Sequence, residues 1–434
     1  MQIKSLLLAC LSLLLMATLH ATPTDPDKET DPTSETDPKS ETDSKPQADS
    51  SLQPAETTAP TEATETEDVS DALTWKRGIW ELNISGNINA HYVYTSTGDD
   101  PAQVDGSLLY AGESGAHSVQ NGLLPTALIF TANGTTKDEF DLGVTVGFYN
   151  GLVSNTALAF SGVDLRQAFM TFGKKNFGTI KAGRDFGIFG FDAIIADMTL
   201  LGVGAPLAPL NPDNTTLGGI GSGYIYCDRL SQINYTTPSL GGFTATAGVF
   251  QPLDMLGGLD NGSQAPGLHG KLAYSLTTDN IGLNLSATAL SQSVDNAASD
   301  YQAYALDFFG QLTVAGFGLT GYYYLGEGVG TTALFLMATD ENGNPVASNG
   351  YMGQLTYTIG KVKLGVNYGS SNLDAGSTAA PTMLNSLNRI TGGVYYTITD
   401  HLTLLSEVSN TTATNREDGQ LTNNSVNVGA FLAF

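Results

Sequence analysis

Trp80-Glu81-Leu82-Asn83-Ile84-Ser85-Gly86-Asn87-Ile88-Asn89-Ala90-His91-Tyr92-Val93-Tyr94 is the stretch that decides the fold. Trp80, Leu82, Ile84, Ile88, Ala90, Tyr92 and Tyr94 hold the even positions, whereas Glu81, Asn83, Ser85, Asn87, Asn89 and His91 hold odd ones. Successive side chains of an extended strand point to opposite faces, so the backbone separates the two sets. One face is apolar and carries aromatics at both extremities. The other is amide, hydroxyl, carboxylate and imidazole, too polar for a packed core.

The alternation recurs along the chain. Phe140, Leu142, Val144, Val146 and Phe148 alternate with Asp141, Gly143, Thr145 and Gly147. Leu268, Leu272, Tyr274 and Leu276 alternate with His269, Lys271 and Ser275, and Val362, Leu364, Val366 and Tyr368 with Lys361, Lys363 and Asn367. The pattern predicts sixteen strands, near 80–94, 123–132, 139–149, 164–172, 178–184, 229–236, 242–250, 267–277, 281–290, 301–312, 317–325, 350–359, 361–369, 388–397, 401–409 and 422–434. Short turns such as Asn133-Gly134-Thr135, Thr278-Asp279-Asn280 and Ile359-Gly360-Lys361 alternate with long polar loops. The long loops are expected near 95–121, 150–163, 185–228, 251–266, 291–300, 326–349, 370–387 and 410–421. A soluble sandwich would bury its apolar faces and show water the polar ones. A transmembrane antiparallel barrel accounts for more: apolar face to lipid, polar face to an aqueous lumen, aromatics at the interfaces, short turns at one end. Closure also satisfies every backbone group in lipid. The apolar stretch from Ala193 to Leu210 holds Asp197, two Pro and two Gly, so it is no membrane helix.

Composition agrees. The 434 residues include 50 Gly, 18 Phe and 18 Tyr, with 14% charged residues, 41% hydrophobic residues and a net charge of -25. That is too apolar for wholesale disorder and too polar for a helical membrane bundle, and it excludes a basic nucleic-acid binder. Residues 1–21 read as a signal peptide, with Lys4 ahead of the apolar run Ser5 to Met16 and a cleavage site after Ala21. Leu7-Leu8-Ala9-Cys10 loosely resembles a lipoprotein box, but only five residues separate Lys4 from Cys10. With that segment removed, Cys227 is the one remaining thiol and no intramolecular disulfide can form. Residues 22–74 hold 15 acidic residues, three Lys and seven Pro, with Thr24-Asp25-Pro26, Thr30-Asp31-Pro32, Thr36-Asp37-Pro38 and Thr42-Asp43-Ser44 in a six-residue repeat. Such a segment has nothing to bury and is expected to be a disordered spacer. A cation-binding or wall-contacting tail is the alternative. The barrel is expected over 75–434.

Three motifs carry a family resemblance. Val426, Val428, Ala430, Leu432 and the terminal Phe434 share one face, which looks like the C-terminal assembly signal of bacterial outer-membrane barrels. Arg166-Gln167-Ala168-Phe169-Met170-Thr171-Phe172-Gly173, then Phe177-Gly178-Thr179-Ile180-Lys181-Ala182-Gly183-Arg184, resembles the signature of trimeric general porins of Gram-negative bacteria. Arg229-Leu230-Ser231-Gln232-Ile233-Asn234-Tyr235-Thr236-Thr237-Pro238 with Gly241-Gly242-Phe243 resembles that family's next hairpin. The resemblance covers approximately residues 79–434. It implies a sixteen-stranded outer-membrane porin in contact with lipid, a homotrimer, and recognition of the last strand by the barrel-assembly machinery. It also implies a third loop that folds inward and sets its acids against basic wall residues, for passive diffusion of ions and small hydrophilic solutes. The constriction acids would be Asp185, Asp192 and Asp197, with Asp213 a further candidate and Asp192 capping a helix from Ala193 to Leu201. The facing bases would be Arg166, Lys181, Arg184 and Arg229. The acidic segment is longer than the family usually has, the third loop is apolar, and the lumen offers few Arg.

Two other functions fit a barrel. A hydrolase would need a base within hydrogen-bond reach of a nucleophile. His91 and His269 lie on lumen faces, yet no Gly-x-Ser-x-Gly elbow occurs. A structural anchor would depend on the acidic tail. Asp340-Glu341-Asn342-Gly343-Asn344 resembles part of a calcium loop but lacks its distal Glu. The sequence therefore points to no catalytic residue, metal or cofactor. Residues 75–434 hold 28 acids against 14 bases. Many of the acids are expected in surface loops: Asp99, Asp100, Asp105, Asp254, Asp260, Asp295, Asp300, Asp340, Glu341, Asp374, Glu417 and Asp418. A negative mouth above a near-balanced waist predicts a weak preference for cations.

Overall fold

The computed structural model describes residues 73–112, 115–151, 163–206, 215–253, 265–295, 300–374, 376 and 379–434. The expected signal peptide, nearly all of the acidic segment, and Asp213, Asp254 and Asp260 lie outside the described residues. In chain order the strands are β1 (Leu73–Arg77), β2 (Trp80–Thr97), β3 (Ala116–Gln120), β4 (Thr126–Thr135), β5 (Asp141–Asn150) and β6 (Asp164–Lys174). Then follow β7 (Gly178–Phe186), β8 (Arg229–Thr236), β9 (Phe243–Phe250), β10 (Gly267–Thr277), β11 (Ile281–Asp295) and β12 (Asp300–Val314). The last six are β13 (Phe317–Glu327), β14 (Ala347–Ile359), β15 (Val362–Asp374), β16 (Leu384–Thr399), β17 (Leu402–Asn415) and β18 (Gln420–Ala433).

Sixteen of these form a closed antiparallel barrel. β2 pairs with β4, each later strand pairs with its successor, and β18 returns to β2 from Ala433↔Asn87 to Asn423↔Thr97. β1 and β3 are extensions. β1 continues the β18 side along Trp80–Ile84, and β3 continues the β4 side along His91–Thr95. A ring leaves no long edge of unpaired N–H and C=O groups for lipid to face.

The alternation sorts the faces as the sequence predicts. On β13, Phe317, Leu319, Tyr323 and Leu325 are exposed outward, while Thr320, Tyr322 and Tyr324 are buried inside. On β2, Asn89 and His91 point inward and Ile88 and Tyr92 outward. Aromatic pairs mark the short-turn end, with Phe243 4.5 Å from Tyr274 and Phe317 4.4 Å from Tyr357 between ring centroids. Tyr304, Tyr323, Tyr351 and Tyr368 stand outward near the long-loop end.

The strand ends differ from the sequence expectation. β17 and β18 run on to Asn415 and from Gln420, so the supposed long loop 410–421 is a tight connection over 416–419 with Asp418 at φ 64. β11 and β12 likewise reach Asp295 and Asp300 inside the supposed loop 291–300, and β3 lies inside the supposed loop 95–121. Asn133-Gly134-Thr135 belongs to β4, and its turn follows it. The cause is shared. Above the lipid band both faces of a strand are wet, so Asn410, Thr412 and Asn424 can point outward while the backbone ladder continues.

Candidate functional site

The third long loop, between β7 and β8, fills part of the barrel. Its path begins with helix α1 (Phe191–Ala196), which starts at Gly190 in the left-handed region (φ 75). Asp197 ends that helix with extended dihedrals, and its carboxylate accepts from the Thr199 amide at 2.9 Å to open a 3-10 turn, Met198–Leu201. The expected helix from Ala193 to Leu201 is therefore two short pieces. Asp192 sits in the first turn of α1 and does not cap it; Asp197 is the capping acid, of the second piece.

Wall side chains hold the loop by its backbone. Asp307 on β12 accepts from the Gly190 amide at 2.7 Å. Gln354 on β14 bridges the two helical pieces, accepting from Met198 N at 2.7 Å and donating to Ala196 O at 2.8 Å. Glu407 on β17 accepts from Val203 N at 2.8 Å and Gly204 N at 2.9 Å through Oε2, and from the Tyr395 hydroxyl at 2.6 Å through Oε1. Ser371 accepts from Gly223 N at 2.9 Å. The loop comes so close that a Cβ at Gly369 on β15 would lie 1.8 Å from Ser222 O, so only glycine fits there.

The ionic contacts run between loop and wall or along the wall. Asp192 meets Lys271 Nζ at 2.6 Å and accepts from Ser286 at 2.5 Å. Asp197 lies 3.7 Å from the Arg389 guanidinium on β16, both side chains wholly buried, and accepts from the Tyr224 hydroxyl at 2.6 Å. Arg389 also donates to Ser222 at 3.2 Å, Thr391 at 2.8 Å and Asn367 at 2.8 Å. Lys363 Nζ stands 4.6 Å above the Tyr395 ring, beside the Glu407 clamp. Lys181 meets Asp185 at 2.5 Å, and Gln167 donates to the same carboxylate at 3.0 Å.

Several expected site residues lie elsewhere. Asp185 belongs to wall strand β7, not to the loop. Arg166, Arg184 and Arg229 converge on Asp164 at the long-loop end, at 3.1, 3.7 and 3.5 Å. Arg184 shares the side of Ala168 and exposed Ser231 and so faces away from the third loop, whereas Arg229, at the end of that loop, meets its last residue Asp228 at 3.4 Å. Arg166 stacks over Tyr149 at 5.5 Å. The bases that meet Asp192 and Asp197 are Lys271 and Arg389. Their signal was visible: each is a cation on the polar parity of a membrane strand.

The remaining candidates are placed plainly. His269 Nε2 is 2.7 Å from Asn234 Oδ1, and His91 lies between Gly122 and Gly429. Both imidazoles are buried, so these contacts are wall and loop packing rather than open pore lining or a base beside a nucleophile. The Asp340 carboxylate accepts from the amides of Asn342 and Asn344, at 2.9 and 2.8 Å, and so serves its own turn. Cys227 is wholly buried, and burial pushes its thiol well above the ordinary range. What results is a lumen of amides, hydroxyls and closely paired charges, narrowed by an inward loop. It can pass and filter solutes, with its local charges opposed in sign.

No curated protein matches the chain. Solved structures do. The outer-membrane channel DcaP of Acinetobacter baumannii is 14% identical with a TM-score of 0.63, covering 82% of this chain and 97% of that one. The anion-selective porin from Comamonas acidovorans is 14% identical with a TM-score of 0.59, covering 82% and 100%. OmpF of Salmonella typhi, solved with daunomycin, is 14% identical with a TM-score of 0.57, covering 82% and 98%. At such identities the likeness shows the fold alone. A sequence profile of the family described as Gram-negative porin matches residues 55–419. The chain therefore belongs to the Gram-negative porins, channel-forming β-barrels of the bacterial outer membrane.

Proposed function

We propose that the protein is a passive diffusion channel for ions and small hydrophilic solutes, weakly cation-preferring and working as a homotrimer. The observation that carries the charge preference is the balance around the third loop. Lys181, Lys271, Lys363 and Arg389 stand among Asp185, Asp192, Asp197, Asp307 and Glu407, so the bases are each offset and one acid is left over. Asp99, Asp100, Asp105, Asp340, Glu341, Glu417 and Asp418 add negative charge at the mouth. Mouth charges act over about one Debye length, roughly 8 Å at physiological salt, so the preference is strongest at low salt. The reversal potential across a salt gradient tests the reading. A cation-selective value that weakens with salt is expected, and an anion-selective value at low salt refutes it.

The trimer rests on the family resemblance, and cross-linking in mild detergent that yields only monomer refutes it. Segment 1–21 is read as a signal peptide and 22–74 as a solvated periplasmic spacer, although the family match begins at residue 55 within it. The last strand, ending in Phe434, supplies the recognition surface for the assembly machinery.

A further inference from the structure

The connection from β13 to β14, residues 328–346, turns into the barrel. Val329 and Leu334 have no exposed surface, and Phe335 and Ala338 are buried. These four join Phe189 and Ile225 of the third loop and wall residues of β8 to β14 in one apolar cluster. The contact is fixed by backbone too. Tyr226 N donates to Thr332 O at 2.8 Å, and Tyr226 forms a β-bridge with Ala333. On its far side Met337 packs against the cluster of Val346, Leu373 and Met383, and faces Gly106 of the loop after β2.

The loop is braced rather than slack. Phe335 N donates to Val329 O and Val346 N to Ala338 O, both at 2.8 Å. Phe335 and Met337 are held at φ 69 and φ 57. Bulky residues avoid this region, and such conformations persist only where the surroundings over-determine them. Here the surrounding constraint is burial of Phe335 in the first cluster and packing of Met337 against the second.

We infer that loop 328–346, together with the third loop, sets the size limit of the pore. It wedges an apolar plug into the β8-to-β14 side of the mouth and leaves solutes the rest of the cross-section. The inference rests on the channel reading above. Because the plugging side chains carry no charge, changing them alone alters how large a solute passes and not which sign of ion is preferred, whereas deleting the whole loop also removes the mouth acids Asp340 and Glu341.

Glu327 and Ala347 are cross-strand partners, so a two-residue Asn-Gly turn can join them in place of 328–346 and leave the ladder whole. A milder variant, Leu334→Asn with Phe335→Asn, keeps the loop and makes its tip polar; Asn tolerates the left-handed region. Both variants are first checked for heat-modifiable migration as intact barrels. If the turn variant fails that check, the double-Asn variant decides. Single-channel recordings and liposome swelling with sugars of increasing size then read the pore. Expected are a conductance higher by about two-fold or more and entry of larger sugars, with the sign of the reversal potential unchanged in the double-Asn variant, which keeps Asp340 and Glu341. A silent parent with conducting variants would equally support the plug. A conducting parent whose variants show the same conductance and the same size limit overturns the inference and leaves the channel reading intact. Silence from all three refutes the channel reading and the plug with it.

Discussion

Replacing Glu407 by Ala removes the wall acceptor that holds the middle of the third loop. Its carboxylate is 1% exposed and takes two loop amides directly, Val203 N and Gly204 N, besides the hydroxyl of Tyr395 and the amide of Asn427. A hydrogen bond to a charged group contributes about 1.5–3 kcal/mol, so the two loop bonds sum to about 3–6 kcal/mol. At about 1.4 kcal/mol per factor of ten, the undocked population of this segment rises by roughly two to four orders of magnitude. Hydrogen exchange reads this residue by residue. The Val203 and Gly204 amides should exchange faster by that factor, and Met198, held by Gln354, should follow to the extent that the loop moves as one piece. Strand amides of β13 and β18 should keep their protection. Glu407→Gln, which retains an acceptor but not the charge, should fall between. Unchanged exchange at Val203 and Gly204 would show that apolar packing, not this carboxylate, holds the loop, and would refute the reasoning.

The remaining expectations concern the buried pair, the mouth, the thiol and the seam. Arg389→Met leaves Asp197 without its cation and should cost about 3–5 kcal/mol in denaturant unfolding, with part of that loss recovered in the double variant with Asp197→Asn. The Thr382 hydroxyl and then the Gln103 amide hold the Asp105 carboxyl below its ordinary range. A carboxyl depressed in the folded state stabilises above its unfolded pKa, about 3.9, and loses that contribution as pH falls through the folded value. The contact between loop 98–112 and Thr382 should thus loosen only in acid below about pH 4, and Asp105→Asn should remove that dependence in a pH series of exchange data. Cys227 should resist maleimide in the folded barrel and react after denaturation; rapid labelling of folded protein would contradict its burial. A Cβ at Gly86 would stand 2.3 Å from Ala127 O and 2.8 Å from the Phe434 ring, so Gly86→Val should abolish the heat-modifiable band.

All sixteen barrel strands were legible because lipid outside and water inside impose period two on every one of them, and because the turns at one end are short. Legibility stopped where the membrane stops. Asn410 and Thr412 of β17 look like loop residues, since water on both sides removes the pattern without removing the pairing. The site was read in halves. Asp192 and Asp197 were picked out as constriction acids, and Lys271 and Lys363 stood on polar faces. Nothing local in sequence could say that Asp192 would reach Lys271 or that Asp197 would reach Arg389, because that depends on the route of a loop across the barrel. Arg166, Arg184 and Arg229 came from the family signature, and a motif fixes a strand pair more firmly than it fixes where the strand's last side chains turn.

The seam between β2 and β18 has a kinetic meaning. Ser96 and Asn424, which meet across it, are 328 residues apart in the chain, whereas every other barrel pairing joins neighbours in sequence. The entropy of closing so long a loop grows only slowly with length, but contacts of such separation form late. Until β18 is in place the growing sheet has two bare edges, which lipid cannot satisfy and which invite pairing with other chains. Insertion and ring closure must therefore be nearly one event. The slowest step of biogenesis should lie at the seam, and a chain shortened at that end should accumulate as an aggregation-prone intermediate instead of a smaller pore.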